Sequence, residues 1–259
     1  MIRGLYASGW SMMANNRKMD VISNNLANVN TNGFKKDSAI FESFPELLAK
    51  RVNDYRSTMN PSGKMGTMSI SSDVGEVFTY YNQGQLSNTG NRLDFAIHDS
   101  GNAFFTIATA ASDGTIRLLY TRDGAFTISP QNILVTKEGY PVMGENGPVL
   151  LQDGEFIIDE NGRIIQDGVM VDRLLIRSFT DTTTLRKVGS NMVEITEQTE
   201  EQPFSGSILQ GYLEQSNVNI IREMVDMITV LRAYEANQKM LQIQDGTLEK
   251  AVNEVGVVR

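Results

Sequence analysis

Residues 211–255, GYLEQSNVNIIREMVDMITVLRAYEANQKMLQIQDGTLEKAVNEV, decide the fold prediction because they form a long, proline-free segment with apolar residues at helical spacing. Four of them follow the alternating three- and four-residue spacing of a coiled-coil seam: Ile221, Met224, Ile228 and Leu231. The spacing resumes after a phase slip near Tyr234. This pattern predicts one long helix, whose first turn Ser216 or Asn217 can cap.

The first residues carry a second, weaker series of the same kind over residues 3–29. Its apolar members lie seven residues apart: Leu5, Met12, Met19 and Leu26. The positions three residues behind them are partly small or polar, as at Ser8 and Asn15, so this helix should be marginal unless it packs on a partner. An ordinary amphipathic helix on a globular core is the alternative that periodicity alone favours.

The N-terminal helix is expected to end in NNLANVNTNGF, residues 24–34. Asparagine competes for backbone hydrogen bonds, and glycine adopts the left-handed conformation without steric cost, so Gly33 is predicted to stop the helix. Asn24 and Asn25 lie inside the helix, where asparagine is a poor helix former. We therefore expect their side-chain amides to form hydrogen bonds between subunits.

The middle of the chain changes its period. Residues 35–75 are polar and rich in serine, glycine and threonine, which predicts an extended connector. From about residue 76 to 201, short alternating segments are separated by Asp-Gly, Glu-Gly and Asn-Gly pairs. No helical segment interrupts them, so we predict an all-β barrel or sandwich of hairpins rather than a βαβ sheet.

The predicted fold class is therefore α+β, with N- and C-terminal helices forming an α-helical coiled-coil domain and a central all-β domain between them in sequence. The expected boundaries are 1–33 for the N-terminal helix, 34–75 for the connector, 76–210 for the central β domain and 211–259 for the C-terminal helix. One partner helix cannot cover both seams, so the pattern indicates assembly of several subunits. The residues expected to pack between subunits are Leu5, Met12, Met19, Asn24, Asn25, Leu26, Ile221, Met224, Ile228, Leu231, Asn237 and Leu241.

The composition argues against several classes of protein. The formal net charge is -8 and no basic stripe is present, which argues against a nucleic-acid partner because phosphate contact needs clustered cations. Cysteine is absent, so disulfides, thiolate nucleophiles and cysteine-ligated metals are excluded. The sequence shows no cleavable secretory signal and no run of the ~20 apolar residues that span a membrane. Taken alone, this predicts a cytosolic chain without membrane insertion.

No motif predicts catalysis. The single histidine, His98, precedes Asp99 and Ser100, but contiguous side chains point in different directions and cannot converge as a catalytic triad does. Residues 159–168, DENGRIIQDG, carry oxygen ligands but lack the spacing of an EF-hand, and a hairpin turn at Asn161-Gly162 explains them better. We therefore expect no catalytic, cofactor-binding or metal-ligating residues and no cofactor.

Five strings in the sequence occur together in one known family. They are DVISNNLANVNTNGFKK (20–36), QGQLSNTGNRLDFAI (83–97), YTRDGAF (120–126), LVTKEGYPVMG (134–144) and GYLEQSNVNIIREMVDMITVLRAYEANQKMLQIQD (211–245). The first and last resemble the two end signatures of the axial proteins of the bacterial flagellar rod and hook, and the others resemble that family's β domain. One departure is Ala103 in GNAFF, where the family pattern has glycine.

The resemblance implies a non-enzymatic structural subunit of the flagellar rod that assembles with copies of itself into a helical tube, transmits torque and encloses an export channel. The implied partners are further copies of the chain, other rod and hook proteins, and the flagellar type III export apparatus, which needs no cleaved signal. The implied location is the flagellar basal body, in the periplasm or cell-wall region. The length suits the distal part of the rod, since the hook subunit usually carries an additional outer domain.

Three alternatives stay open at this point. One is a hook-type or proximal-rod axial subunit. A second is a wall-modifying enzyme or binding module that contacts peptidoglycan, because two exposed carboxylates could meet in a cleft that the sequence does not reveal. The third is a coiled-coil fibre or tail protein outside the flagellum.

Overall fold

The structure is a computed structural model that describes residues 2–43, 47–50, 64–68, 72–99, 101–110, 115–152 and 154–255. Contacts divide the chain into two compact units. The β unit contains Asn25–Lys36 and Thr79–Ile220. The terminal unit contains the described residues of 1–24, 37–78 and 221–259.

Two long helices lie near the ends of the described chain. Helix α1 spans Ile2–Ala27 and helix α2 spans Ile220–Lys250, which a single π-helical turn, Ala251–Val255, continues. The first agrees with the series predicted over residues 3–29. The second begins nine residues later than the predicted 211–255, because residues 212–214 pair as a strand instead.

Four strands follow α1 and pair two by two, β1 with β4 and β2 with β3, and the second pair is antiparallel. They are β1 (Asp37–Ser43), β2 (Leu47–Lys50), β3 (Lys64–Met68) and β4 (Ser72–Thr79). The range that the sequence predicted to be an extended connector therefore contains paired strands. The domain boundaries stated above stay a prediction.

In its described residues, the β unit holds seventeen further strands and one short 3-10 turn, Thr182–Thr184. The strands are β5 (Leu86–Asn88), β6 (Phe95–His98), β7 (Ala103–Ala110), β8 (Ile116–Thr121), β9 (Phe126–Ile128), β10 (Leu134–Thr136), β11 (Met143–Gly144), β12 (Gly147–Pro148), β13 (Phe156–Ile158), β14 (Arg163–Gln166), β15 (Val169–Arg173), β16 (Ile176–Phe179), β17 (Arg186–Val188), β18 (Met192–Glu194), β19 (Glu201–Gln202), β20 (Ser207–Gln210) and β21 (Tyr212–Glu214).

The largest sheet of the β unit has six strands in the order β17-β18-β8-β7-β16-β19. A three-stranded sheet, β13-β14-β15, and several two-stranded pairs complete the unit. Two of these pairs matter for the site, because β20 pairs with β6 and β21 pairs with β5. The strands just before α2 therefore lie beside the first strands of the unit.

The predicted hairpin turns of the three-stranded sheet are confirmed. Asn161-Gly162 separates the antiparallel strands β13 and β14, and Asp167-Gly168 separates β14 and β15. Asp167 and Gly168 have φ values of 51° and 79°. Two successive positive φ values define the type I′ turn, which suits glycine and tolerates aspartate.

Two apolar clusters stabilise the β unit. The larger joins residues of most sheets: Phe95, Ile97, Ala103, Phe105, Ile107, Leu119, Phe126, Leu134, Val142, Val149, Leu151, Phe156, Ile158, Ile164, Leu174 and Ile208. The smaller contains Tyr81, Phe104, Tyr120, Phe179, Leu185 and Val193. Because side chains alternate along β7, Phe105 enters the larger cluster and its neighbour Phe104 enters the smaller one.

The predicted coiled-coil domain is wrong. In the part of the chain that the structure describes, the terminal helices do not form a coiled coil, and the four α2 seam residues are exposed: Ile221, Met224, Ile228 and Leu231. Helix α2 instead buries Glu223 and Val230. Periodicity shows which face of a helix is apolar but not what covers that face, so the single chain has a β-rich body with a long C-terminal helix.

A chain shortened to end at Ile220 should still fold its β unit, because all residues of that unit remain. We expect a single cooperative urea transition followed by circular dichroism, with the free energy of unfolding of the β unit within about 1 kcal/mol of its full-length value. A control chain ending at Gly206 loses β20 and β21 and should show no cooperative transition. Loss of cooperativity in the first chain would contradict this division into units.

Candidate functional site

Four charged residues from distant parts of the sequence meet inside the β unit. Lys35 follows the turn after α1, Asp99 follows β6, Arg122 follows β8, and Glu214 is the last residue of β21. Asp99, Arg122 and Glu214 lie at a strand end or just beyond it, and Lys35 lies in the segment between α1 and β1. We call these four residues the ionic network.

Glu214 lies at the centre of the ionic network. Its Oε1 is 2.5 Å from Nζ of Lys35, and its Oε2 is 3.2 Å from Nη1 of Arg122. The other terminal nitrogen of Arg122, Nη2, lies 2.5 Å from Oδ1 of Asp99. The order of contact is thus Lys35, Glu214, Arg122, Asp99, with alternating charges and a formal sum of zero.

Backbone groups satisfy most of the remaining polar atoms of the network. Lys35 donates to the carbonyl of Asn82 at 2.9 Å, and the amide of Gly84 donates to Oε1 of Glu214 at 2.8 Å. Arg122 also donates to the carbonyl of Ile97 at 3.3 Å. This satisfaction matters because a buried ion pair offsets its desolvation cost only when further hydrogen bonds complete it.

Asp99 is held from its other side by the loop that it begins. The amide of Gly101 donates to its Oδ1 at 2.8 Å, and the amide of Ala103 donates to its Oδ2 at 2.9 Å. Two backbone donors stabilise the carboxylate and fix its orientation toward Arg122. Asp99 is therefore a fixed counter-charge, although it is the least buried member of the network.

Aromatic rings cover the cations. The guanidinium of Arg122 lies 5.4 Å from the centroid of Phe104, and Phe104 packs edge-on against Tyr81. Lys187 lies over the ring of Phe34 at 4.2 Å, and its Nζ donates to the carbonyl of Lys35 at 3.0 Å. The Phe104 contact adds cation–π attraction to the network, and the Lys187–Phe34 contact lies beside Lys35.

Burial perturbs the ionisation of Lys35. Loss of hydration lowers the pKa of its ammonium group, the charge of Glu214 opposes that shift, and the charge of Arg122 adds to it. The two neighbouring charges therefore act on the same ammonium group in opposite directions.

Backbone hydrogen bonds hold the segment around Gly33 and the segment around Glu214 in place. The amide of Gly33 donates to the carbonyl of Glu214 at 2.8 Å, and the amide of Gln215 donates to the carbonyl of Gln85 at 2.9 Å. Gly33 has a φ of 67°, and a Cβ added there would lie 2.5 Å from the carbonyl carbon of Arg122. The helix has already ended at Ala27, so Gly33 permits this close approach and does not stop the helix.

Asn217 ties the two segments together through its side chain. Its Oδ1 accepts from the amide of Lys36 at 2.7 Å, and its Nδ2 donates to the carbonyls of Tyr80 and Asn82 at 2.8 and 3.1 Å. The predicted capping role of Asn217 is therefore wrong, because these three bonds engage both ends of the amide. Ser216 accepts from the amide of Val218 at 3.3 Å, in the turn that precedes α2.

Asp123 adjoins the network without joining it. Burial raises the pKa of its carboxyl to about 6, against the lowering effect of a hydrogen bond from the amide of Ala125. Asn191 also donates to it, at 3.2 Å. A carboxylate held in this place at neutral pH is a source of instability in the folded state.

The predicted subunit-packing residues are not brought together at this network. On α2, Ile221, Met224, Ile228 and Leu231 are exposed. Asn237 and Leu241 are half-buried. On α1, Leu5, Met12, Met19 and Leu26 are also half-buried, Asn24 is exposed and Asn25 is buried. Their role between subunits stays a prediction.

None of the four residues of the ionic network was predicted from the sequence to form a site. Lys35, Arg122 and Glu214 lie within three of the quoted family strings, and Asp99 stands beside the single histidine. The strings around them are polar and mark none of these charges as buried. Which distant residue neutralises each charge is set by the fold.

In the described residues, the single histidine and the potential metal-ligating side chains do not come together as a site. His98 ends β6 and is exposed, and Ser100 lies outside the described residues. No group of three or more potential metal-ligating side chains occurs in the described ranges. A cleft of about 250 Å³ lies between the segment that follows α1 and the segment that precedes α2. None of its lining residues carries a titratable side chain: Val29, Asn30, Asn32, Gln215, Ser216, Val218 and Ile220. Of the helices described, none has the length and apolar character to cross a membrane.

Hydrogen bonds fix the segment that follows α1 and the segment that precedes α2 within the β unit, and α2 presents an apolar face to solvent. This arrangement is typical of a structural subunit. Its family is shown by similarity over nearly the whole sequence. Residues 5–35 match the description "Flagella basal body rod protein", residues 96–201 match "Flagellar hook protein FlgE/F/G D1 domain", and residues 209–254 match "Flagellar basal body rod FlgEFG protein C-terminal".

Individual relatives agree with this match. The flagellar basal-body rod protein FlgG of Buchnera aphidicola subsp. Acyrthosiphon pisum is 35% identical over 96% of this chain and 98% of its own length. The FlgG protein of Bacillus subtilis is 33% identical over 98% of this chain and 99% of its own. The basal-body rod protein FlgF of Rhizobium meliloti is 32% identical over 99% of both.

The chain belongs to the family of flagellar basal-body rod proteins and is close to FlgG. It is a structural subunit of the rod and is located in the flagellar basal body. The cytosolic location predicted from the absence of a signal peptide is therefore wrong. Unlike composition alone, the family resemblance gave the correct location.

Glu214→Gln should destabilise the β unit strongly, because it leaves two buried cations, Lys35 and Arg122, and a single carboxylate, that of Asp99, to balance them. We expect the free energy of unfolding to fall by about 3–5 kcal/mol in urea denaturation. The matched control is Glu194→Gln, which breaks the more exposed Arg117–Glu194 pair and should cost less than about 1 kcal/mol. Equal losses in the two variants would contradict the role given to the network.

Asp123→Asn should stabilise the β unit at neutral pH. Because the pKa of Asp123 is raised to about 6 from 3.8, the folded state binds this proton more tightly, and stability from this group falls as pH rises through that range. We expect the variant to gain about 1–3 kcal/mol at pH 7.5, the upper value following from the size of the shift. The gain should vanish as pH falls toward 4, and a gain independent of pH would contradict this assignment.

Proposed function

We propose that this rod subunit assembles with further copies of itself into a helical tube, with the apolar face of α2 as a subunit contact. The observation that carries the proposal is the inverted burial of α2, in which the apolar face is exposed and the opposite face is buried. Ile221 is 75% exposed and Ile228 is 50% exposed, whereas Glu223 and Val230 on the opposite side are 1% and 4% exposed. A helix that turns its apolar face outward is suited to contact with another molecule.

The energetic argument follows from the exposed residues. Burial of a large aliphatic side chain contributes about 1.5–3 kcal/mol relative to its exposure. Four such side chains lie along one face of α2: Ile221, Met224, Ile228 and Leu231. Together they give a contact strong enough to drive association once the geometry of the assembly allows it.

The other predicted packing residues have supporting roles in this proposal. Asn237 and Leu241 continue the α2 contact beyond the phase slip. Leu5, Met12, Met19 and Leu26 are half-buried in the single chain, which leaves part of each for a neighbour. Asn24, which is exposed, supplies an amide group near the end of α1, whereas the amide of Asn25 is buried within the chain.

We further propose that the assembled tube transmits torque, encloses an export channel, and belongs to the distal part of the rod. The support for the rod rather than the hook comes from relatives named as basal-body rod proteins. Its partners are other rod and hook proteins and the flagellar type III export apparatus. We infer a non-enzymatic role from the same relatives and from the lack of any site residue in the cleft that could titrate.

Ile228→Glu should block assembly while leaving the β unit folded. A charge at the centre of the exposed apolar face becomes costly only when a neighbour covers it. In cells whose only copy carries the variant, we expect loss of swimming in soft agar and absence of hooks by electron microscopy. The matched control is Thr229→Glu, which adds the same charge at the next, also exposed, position and should retain swimming.

Deletion of residues 222–259 tests the same contact more severely. It removes nearly all of α2 and should likewise abolish swimming. Normal swimming by Ile228→Glu, or by the deleted chain, would contradict the proposed contact. Urea denaturation of the purified variants must show the β unit folded for either result to count.

A further inference from the structure

The ionic network joins residues that are far apart in the chain. Lys35 and Glu214 are separated by 179 positions, and Arg122 and Glu214 by 92. Lys35 belongs to the segment leading out of α1, and Glu214 to the strand leading toward α2. Arg122 and Asp99 come from the sheets between them. The network therefore fixes both terminal segments of the β unit to each other and to its centre.

We propose that the ionic network is a completion lock. Either terminal segment is held stably on the β unit only when the other is also in place, so the two dock and open as one cooperative element. This inference concerns the single chain and does not depend on the proposed assembly.

The charge sequence gives the lock its all-or-none character. With all four residues present, two cations alternate with two carboxylates. Without Glu214, Lys35 loses its carboxylate contact, and Asp99 is the one carboxylate left to balance two buried cations. Without Lys35, Arg122 is the one cation left in contact with Glu214, and Asp99 also engages it. Removal of one member of a buried network leaves an uncompensated charge, whereas removal of a neutral pair does not.

The backbone bonds around the network link the same two segments. Gly33 donates to Glu214, and Asn217 accepts from Lys36. The amide of Tyr80 in turn donates to the carbonyl of Lys36 at 2.8 Å. Movement of the segment 33–36 therefore breaks bonds to 214–217, and movement of 214–217 breaks bonds to 33–36. Such reciprocal dependence is the property of a single coupled element.

The lock has a consequence for the order of folding. A chain that is still being made, or that emerges N-terminus first, contains Lys35 and Arg122 long before Glu214. During that interval the segment after α1 lacks its central counter-charge and its backbone acceptor. It is held only when strand β21 has arrived, so the two helix-bearing ends become fixed in the same step.

The test uses four full-length proteins: the native chain, Lys35→Met, Glu214→Gln and the double variant. Charge balance predicts that the double variant is more stable than Glu214→Gln, because Arg122 and Asp99 remain as a neutral pair. In urea, its unfolding equilibrium constant should be at least tenfold smaller than the product of the two single effects predicts. The matched control is Arg177→Met with Glu201→Gln, an exposed pair 2.8 Å apart, whose effects should multiply.

Hydrogen exchange separates the lock from a merely stabilising role, because the lock speeds exchange at the far segment more than the fall in the free energy of unfolding alone does. Lys35→Met should speed exchange at least tenfold at the amide of Gln215, on the far segment, as well as at Gly33. Glu214→Gln should do the same at Lys36 and Tyr80. If each single variant loosens its own segment alone, the lock is overturned.

The stability series also decides the matter if a single variant does not fold. A Glu214→Gln protein that is unfolded, alongside a double variant that is folded, supports the lock directly. A double variant that is unfolded, or whose effects simply multiply, overturns it. Swimming assays are not part of this test, so its failure leaves the proposed α2 contact untouched.

Discussion

A buried carboxylate needs counter-charges, and in this protein Glu214 finds them in two residues far away in sequence. Its two oxygens are divided between Lys35 and Arg122, with the amide of Gly84 on the same side as Lys35. Ions of this kind lose several kcal/mol of hydration each when buried, so the arrangement is stable only with nearly all partners present. The course of the chain around it follows from this requirement. Gly33 must lack a side chain, β21 must pair with β5, and Asn217 must face Lys36.

Local patterns in the sequence predicted the elements that depend on local physics. The seven-residue series gave α1 nearly to its ends, and the Asn-Gly and Asp-Gly pairs gave the hairpins of β13, β14 and β15. These succeed because helix periodicity and turn conformations are set by neighbours within a few residues. The coiled-coil prediction failed for the complementary reason. The apolar stripe on α2 was identified correctly as a stripe, but the surface that covers it is a property of tertiary and quaternary packing.

The ionic network shows a second limit of a single sequence. Lys35, Arg122 and Glu214 stand in the strings that carry the family resemblance, yet their pairing follows from the crossing of segments 92 and 179 positions apart. Gly33 and Asn217 were assigned to helix ends because those residue types often occur there. Both instead act in the contact between the two terminal segments. Residue type limited their conformations, while the fold determined which of several compatible roles each one took.

Because the apolar face of α2 is exposed, the proposed subunit contact would make the stability of this helix depend on protein concentration. A helix of 31 residues with its apolar face in water gains stability only when another surface covers that face, so its free energy includes a term set by mass action. In dilute solution this term is small, and in the proposed assembly it would rise with each added neighbour. On that proposal, the degree of order in α2 depends on how many copies surround it. Folding and addition to the structure would then be successive stages of one equilibrium.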